Sequence, residues 1–281
     1  MTLSVAALLR ARGLHPRKGL GQNFLTDPVA LDRIVAAADL SSSDLVVEVG
    51  AGAGTLTRPL AGKAGRVLAL ELDDQLVMLL RDELAGLQNV EIIHGDVLHF
   101  SSPELNHRGY KVVGNLPYYI TSAVLRRFLS RMPRPRLMVV TVQREVAERI
   151  VAKPGKMNLL AVSVQFYGQP QTVARIPAGA FYPAPKVDSA VVRIDVGERP
   201  VVSLGEGVDE AIFFRVVRAG FSQKRKKLRN SLSAGLRSSP QEVSESLEQV
   251  DVDPGRRAQT LSLQEWASVT QVLHQQGHID Q

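Results

Sequence analysis

The stretch Leu45-Val46-Val47-Glu48-Val49 runs directly into Gly50-Ala51-Gly52-Ala53-Gly54-Thr55. No other feature limits the possible folds as strongly. The first five residues read as a buried strand, and the alternating glycines demand a tight turn. A strand, a glycine turn and a helix start form a cradle where backbone can approach a nucleotide-like ligand with no Cβ in the way. The spacing is G-x-G-x-G, so the dinucleotide fingerprint G-x-G-x-x-G is not met. Nor is it a P-loop, because Gly62-Lys63 is followed by Ala64 and Thr57 stands in the leading glycine's place.

Further apolar runs follow at 66–70 ending at Glu71, at 90–94 followed by Gly95-Asp96, at 111–114, at 137–143, at 172–176 and at 190–196. Helical patterns separate them. The expected fold class is α/β, a mostly parallel sheet with helices on both faces. Residues 159–167 are so uniformly apolar that period does not separate helix from strand. Pro200, Gly205 and Gly207 mark a linker, after which only helical patterns occur. The expected division is a catalytic domain over 1–197, a linker over 198–207 and a helical domain over 208–281.

Glu71 ends the second strand about 20 residues beyond the glycines, where an acid can bind two ribose hydroxyls. Asp96 either accepts an amine from a bound adenine or caps the next turn. Asn115-Leu116-Pro117-Tyr118 closes the fourth strand at its C-terminal end, where open α/β sheets hold ligands. An exocyclic amine on a flat base is a poor nucleophile, since its lone pair is delocalised into the ring. The Asn115 side-chain oxygen and the Leu116 carbonyl could both accept its N–H groups. Pro117 has a fixed φ and would stiffen that carbonyl, and Tyr118 could stack on the base. In Phe181-Tyr182-Pro183-Ala184-Pro185-Lys186-Val187-Asp188-Ser189, two prolines hold a loop extended. Phe181 is either a second stacking ring or a buried loop anchor.

Charge favours a polyanionic partner: the net charge is +6 and the pI about 9.7. The excess is clustered. Residues 211–241 hold eight Lys or Arg and no acid, and Arg126, Arg127, Arg131, Arg134 and Arg136 lie together with none. Residues 1–18 carry Arg10, Arg12, Arg17 and Lys18 and read as a basic arm. There are no cysteines, which excludes disulfides and agrees with a reducing, cytoplasmic setting. The six histidines show no metal-ligand spacing, so no metal is expected. No run approaches the ~18 residues of a membrane span.

Six segments in order carry a family resemblance: Gly21-Gln22-Asn23-Phe24-Leu25, Glu48 to Gly54, Asn115 to Tyr118, Gln143-Arg144-Glu145-Val146-Ala147-Glu148-Arg149, the Phe181 to Ser189 loop, and Phe221-Ser222-Gln223-Lys224-Arg225-Lys226-Lys227-Leu228. Over roughly residues 15–270 the chain resembles the small-subunit rRNA adenine dimethyltransferases of the KsgA/RsmA type. The resemblance implies a Rossmann-like methyltransferase fold with a seven-stranded sheet, a small helical C-terminal domain, and S-adenosylmethionine as cofactor. It implies cofactor contacts at Asn23, Leu25, Gly50, Gly52, Glu71, Asp96 and Asn115. The implied catalytic set is Asn115, Leu116, Pro117, Tyr118 and Phe181. The implied target is two adjacent adenines in a hairpin loop near the 3′ end of 16S rRNA, within the 30S subunit or its precursor. Phosphate contacts are expected from Arg17, Lys18, Arg126, Arg127, Arg144, Lys224, Arg225, Lys226, Lys227 and Arg229. A monomer is the default expectation.

Two departures stand out. The family's longer loop is shortened here to Pro154-Gly155-Lys156-Met157-Asn158, and Gln259 replaces a more usual Glu after Arg257-Ala258. Rival readings are a large-subunit rRNA methyltransferase of the macrolide-resistance type, a non-catalytic ribosome-assembly factor, and a nicotinamide oxidoreductase. The glycine spacing and the Asn115 stretch do not fit the last.

Overall fold

A computed structural model describes residues 4–106 and 109–279. Residues 1–3 of the basic arm and His107 therefore lie outside the described residues. The chain divides into two compact units, one formed by Met1–Glu148 with Gln169–Glu198, the other by Arg149–Gly168 with Arg199–Gln281.

The first unit opens with α1 (Val5–Ala11), capped by Ser4, whose hydroxyl accepts the Ala7 N–H. Residues 5–11 of the basic arm are thus helical. Val5 and Leu9 are buried beside Phe24, Ala53, Leu76 and Leu79. Next come β1 (Phe24–Leu25) and α2 (Pro28–Ala37). Asp27 caps α2 through the Ala30 N–H, and Pro28 occupies the first turn, where a missing N–H costs nothing. Ala30, Ile34, Val35 and Ala37 form its buried face.

The main sheet is built from β2 (Leu45–Val49), β3 (Arg66–Glu71), β4 (Val90–His94), β5 (Lys111–Asn115), β6 (Leu137–Gln143), β7 (Gly168–Ile176) and β9 (Ser189–Val196). A separate two-residue strand, β8 (Phe181–Tyr182), pairs with β1. Helices α3 (Thr57–Ala61), α4 (Asp74–Glu83), α5 (Thr121–Ser130) and α6 (Arg144–Ile150) connect the strands. The order across the sheet is β4-β3-β2-β5-β6-β9-β7. The pairs among β4, β3, β2, β5 and β6 are parallel, and β9 runs antiparallel to β6. The sheet grows outward from β2 to β4, then restarts on the other side of β2 with β5. The gap between β2 and β5 is the switch point where such sheets bind ligands.

At the other end of these strands lies a charged cluster that the sequence does not announce. Lys111, 2% exposed, opens β5, and its Nζ donates to Ala38 O at 2.9 Å, to Asp39 O, and to Asp44 Oδ2 at 3.1 Å. Arg136 holds the other Asp44 oxygen. Burial alone would raise the Asp44 pKa, but bonds from the Ser41 N–H, Lys111 and the Ser41 hydroxyl hold it below its ordinary value.

The second unit is helical. It contains α7 (Leu159–Gln165), α8 (Glu210–Phe221), α9 (Leu228–Leu236), α10 (Pro240–Glu248) and α11 (Leu263–Gln275). Residues 159–165 are therefore helix, and residues 149–168 leave the domain expected over 1–197. The cause is aromatic packing. Phe166 stacks on Phe213 with centroids 4.6 Å apart, and Tyr167 OH donates to Glu210 at 2.6 Å. The two departures from the family pattern meet here. The N–H groups of Gly155 and Met157 both donate to Gln259 O, at 2.9 and 3.0 Å. Capping boxes at Ser239–Glu242 and Ser262–Glu265 start α10 and α11. The basic run 224–227 falls in a break between α8 and α9.

Candidate functional site

The C-terminal ends of β2, β3 and β5 and the turn after β4 surround a cleft with about 790 Å³ of free space, part of it open to solvent. Its lining brings together Asn23, Gly50, Gly52, Glu71, Asp96, Asn115, Leu116, Pro117 and Tyr118 from the residues singled out in the sequence. It adds Gly21, Phe24, Leu72, Val97 and Tyr119, to which the sequence alone assigns no role.

The glycine turn is left-handed at Gly50, Gly52 and Gly54, with φ of 75°, 61° and 78°. A Cβ on Gly52 would sit 3.0 Å from the Phe24 ring. The Gly50 and Ala51 N–H groups donate to Leu70 O at 3.0 Å each, which ties the turn to β3. Glu71 ties it again. Its Oε2 accepts the Gly52 N–H at 2.8 Å, and its Oε1 accepts those of Leu72 and Asp73 at 2.9 Å each. Burial pushes the Glu71 pKa up against those three bonds, and the net shift is upward.

Glu48 is a second buried carboxyl, 1% exposed. It borders a smaller cavity with Phe24, Leu25, the glycine turn and Asn115. Burial raises its pKa to about 8, with nearby Thr57 opposing and Glu71 adding to the rise. Neither Glu48 Oε2 nor Thr57 Oγ1 meets hydrogen-bond geometry with any partner among the described residues. Burial and the lack of a donor to Oε2 both favour the neutral form of Glu48.

Asn115 is oriented by its neighbour. Its Nδ2 donates to the Asn23 main-chain oxygen at 2.8 Å. A carbonyl can only accept, so this bond fixes which end of the amide is which and leaves Oδ1 as the free acceptor. The Leu116 N–H donates to Thr141 O at 3.2 Å, and no backbone donor to Leu116 O occurs among the described residues. Tyr118 OH pairs with Ser189 Oγ at 2.8 Å. Burial raises the Tyr118 pKa, with that bond opposing. Asp96 Oδ1 accepts the Leu98 N–H at 2.9 Å while the residue lines the cleft, so the turn cap and the cleft position coexist.

Two predicted site residues are elsewhere. Phe181, 4% exposed, packs in the core cluster that holds Ile34 and Val191, and it pairs with Leu25 across the short sheet. It does not line the cleft. The expectation of a second stacking ring at this position is corrected to the loop anchor, because strand pairing turns the ring inward. Leu25, 2% exposed, likewise points into the core, and it reaches only the smaller cavity.

The expected phosphate contacts separate by their existing partners. Arg17 Nη1 lies 3.2 Å from Asp73 and 3.4 Å from Asp74. Arg127 Nη2 donates to Phe100 O at 2.6 Å. Each engages its partner through one terminal nitrogen, so the rest of the guanidinium keeps donors for a phosphate. Arg144 is exposed, with Glu148 3.8 Å away. Lys18, Arg126, Lys224, Arg225, Lys226, Lys227 and Arg229 are exposed, with no ion pair among the described residues.

No group of His, Cys, Asp or Glu suited to a metal occurs among the described residues. None of their helices is long and apolar enough to cross a membrane.

A family model described as ribosomal RNA adenine dimethylase matches residues 13–275. The chain belongs to that family. It is 50% identical over 255 residues to the ribosomal RNA small subunit methyltransferase A of Dehalococcoides mccartyi, covering 90% of this chain and 87% of the relative. The Pelotomaculum thermopropionicum protein of the same name is 44% identical, with 94% of each covered. Among solved structures, a dimethyladenosine transferase from Plasmodium falciparum superposes with a TM-score of 0.78 at 25% identity, covering 90% of this chain and 98% of that one. The 23S rRNA methyltransferase ErmE gives 0.71 at 28% identity, covering 90% and 100%.

The dimethylase family uses S-adenosylmethionine, and the cleft suits that group. Gly50 and Gly52 leave backbone bare, Glu71 presents a carboxylate at the end of β3, and Leu72 and Val97 offer apolar surface beside Asp96.

Proposed function

We propose that this chain transfers methyl groups from S-adenosylmethionine to N6 of two adjacent adenines in the 3′-terminal hairpin loop of 16S rRNA. The substrate is the 30S subunit or its precursor, the setting is cytoplasmic, the enzyme acts as a monomer, and the step belongs to small-subunit biogenesis. The observation that carries the reading is the Asn115 amide, which Asn23 O holds with Oδ1 available at the mouth of β5.

Glu71 would hold the ribose hydroxyls, Asp96 the cofactor adenine, and Asn23 and the glycine turn the remainder. When bound, the cofactor supplies an electrophilic methyl on a sulfonium, so no strong base is required. In the first transfer Asn115 Oδ1 and Leu116 O accept the two N–H groups of N6 and draw its lone pair out of the ring. As the N–C bond forms, N6 sheds one proton to solvent, and in the second transfer one of the two oxygens accepts the single N–H that remains. Tyr118, fixed by Ser189, receives the ring face. Positioning is the main source of rate here. The target base must leave its stack at a cost of a few kcal/mol, least in a loop. Stacking on Tyr118, about 1–3 kcal/mol, offsets this.

Labelled-methyl transfer to unmethylated small subunits, followed by mapping of the modified bases, tests the proposal. Label on two adjacent N6 positions of 16S rRNA supports it. Label confined to 23S rRNA would favour the large-subunit reading, and binding without transfer would favour an assembly factor.

A further inference from the structure

The rim of the cleft carries a ring that this mechanism leaves unused. Tyr118 and Tyr119 are consecutive in the 3-10 turn Tyr118–Ile120, yet they are held differently. The Tyr118 hydroxyl is tied to Ser189, which is fully buried. Tyr119 is 61% exposed, and its hydroxyl has no hydrogen-bond partner among the described residues. It is also the exposed aromatic among their large apolar side chains.

Tyr119 is nevertheless backed. Gly21, with φ +64°, closes the 3-10 turn Lys18–Leu20 against it. A Cβ at Gly21 would lie 3.3 Å from Cδ1 and Cε1 of the Tyr119 ring and 3.5 Å from Pro117 Cβ. An aromatic ring seated on backbone at a cleft mouth, with most of its surface free, is a prepared stacking surface.

We propose that Tyr119 is the platform for the nucleotide next to the adenine being methylated. The inference rests on the reading that this cleft receives an unstacked adenine. Consecutive residues in a 3-10 turn diverge by about 120°, so Tyr118 and Tyr119 do not face one another across a single base. Drawing one base inward uncovers the face of its neighbour. Tyr119 stands where that face emerges. In a substrate with two adjacent targets, the neighbour is the other adenine, held in readiness.

The test uses the full chain with Tyr119→Ala and Tyr119→Phe. Unmethylated small subunits are titrated for KM and kcat, and S-adenosylmethionine affinity is measured separately by calorimetry. Removing one stacking ring predicts a KM for the subunit raised about 5- to 150-fold in the alanine variant. Cofactor affinity and the salt dependence of RNA binding stay unchanged, and phenylalanine restores KM. An alanine variant with wild-type KM overturns the proposal. So does an equal loss of cofactor affinity, which would make the ring a cofactor lid, or a failure of phenylalanine to rescue. If the wild-type enzyme methylates no rRNA adenine, both this inference and the proposed function fall. An active wild type with an indifferent Tyr119→Ala variant removes this inference alone.

Discussion

Asn115 donates its side-chain N–H to the main-chain oxygen of Asn23 across 2.8 Å, joining residues 92 positions apart. This bond gives the N-terminal motif a role beyond contact with cofactor, since it sets the orientation of the amide that faces the substrate.

From that follows the behaviour of two variants. Asn115→Ala removes the acceptor, and Asn115→Asp puts an acceptor against the Asn23 oxygen, so both lose the aimed Oδ1. We expect kcat to fall about 100- to 1,000-fold, the size seen when one transition-state hydrogen bond is deleted. Cofactor and RNA affinities should shift little. Single-turnover methyl transfer and calorimetry measure both, and near-normal turnover by the alanine variant would sink the assignment.

Glu48 gives a pH signature. Its folded pKa, about 8, lies above that of an exposed carboxylate. Between those two values the folded state keeps a proton that the unfolded chain releases. The group's contribution is therefore complete below the ordinary carboxylate pKa and lost as pH climbs toward 8. The loss is at most about 1.4 kcal/mol per pH unit within that window. Glu48→Gln has no proton to lose. Melting curves at pH 5 to 8 should show the wild type falling relative to this variant as pH rises, and parallel curves would refute the neutral acid.

The sheet was legible because β2 to β6 alternate with helical patterns, and the glycine turn, Glu71 and Asn115 lie at strand ends, where topology forces them together. Phe181 was not legible. Its inward turn depends on pairing between β8 and β1, two residues each, too short for any period to register. Helix α7 escaped because both of its faces are apolar and its partner, α8, lies about 50 residues on. Arg17 and Arg127 read as free cations because the groups that engage them, Asp73 and Phe100 O, are distant in sequence. Tyr119 had a readable signal, an aromatic directly after the Asn115 stretch, but its exposure is a property of the folded turn.

Lys111 and Asp44 predict a stability effect without a catalytic one. Lys111 opens β5, whereas Asn115 closes it. Asp44→Ala would leave a buried ammonium with only carbonyl partners. Breaking a buried pair from one side costs about 3–5 kcal/mol. Denaturant unfolding should show a decrease of that order, while cofactor affinity below the melting transition stays near wild type. A decrease under about 1 kcal/mol would mean that water reaches Lys111.

The basic run of the helical unit makes the last prediction. Lys226 and Lys227 sit at the N-terminal end of α9, with Lys227 in the cap position. A helix dipole favours anions there, so these cations oppose it, and each costs about 0.3–1 kcal/mol. Leu228, fully buried, bonds through its N–H to Arg256 O at 2.7 Å and fixes the start of the helix despite that opposition. A phosphate at this point would reverse the penalty, meeting helix N–H groups and ammonium groups together. Lys226→Gln with Lys227→Gln should therefore raise the stability of the free protein slightly while weakening RNA binding. The slope of log affinity against log salt should shrink by about 0.7–0.9 for each phosphate that the variant no longer neutralises. Melting temperature and filter-binding titrations across salt concentrations read the two effects. A steep slope left intact would move the phosphate contacts to other residues.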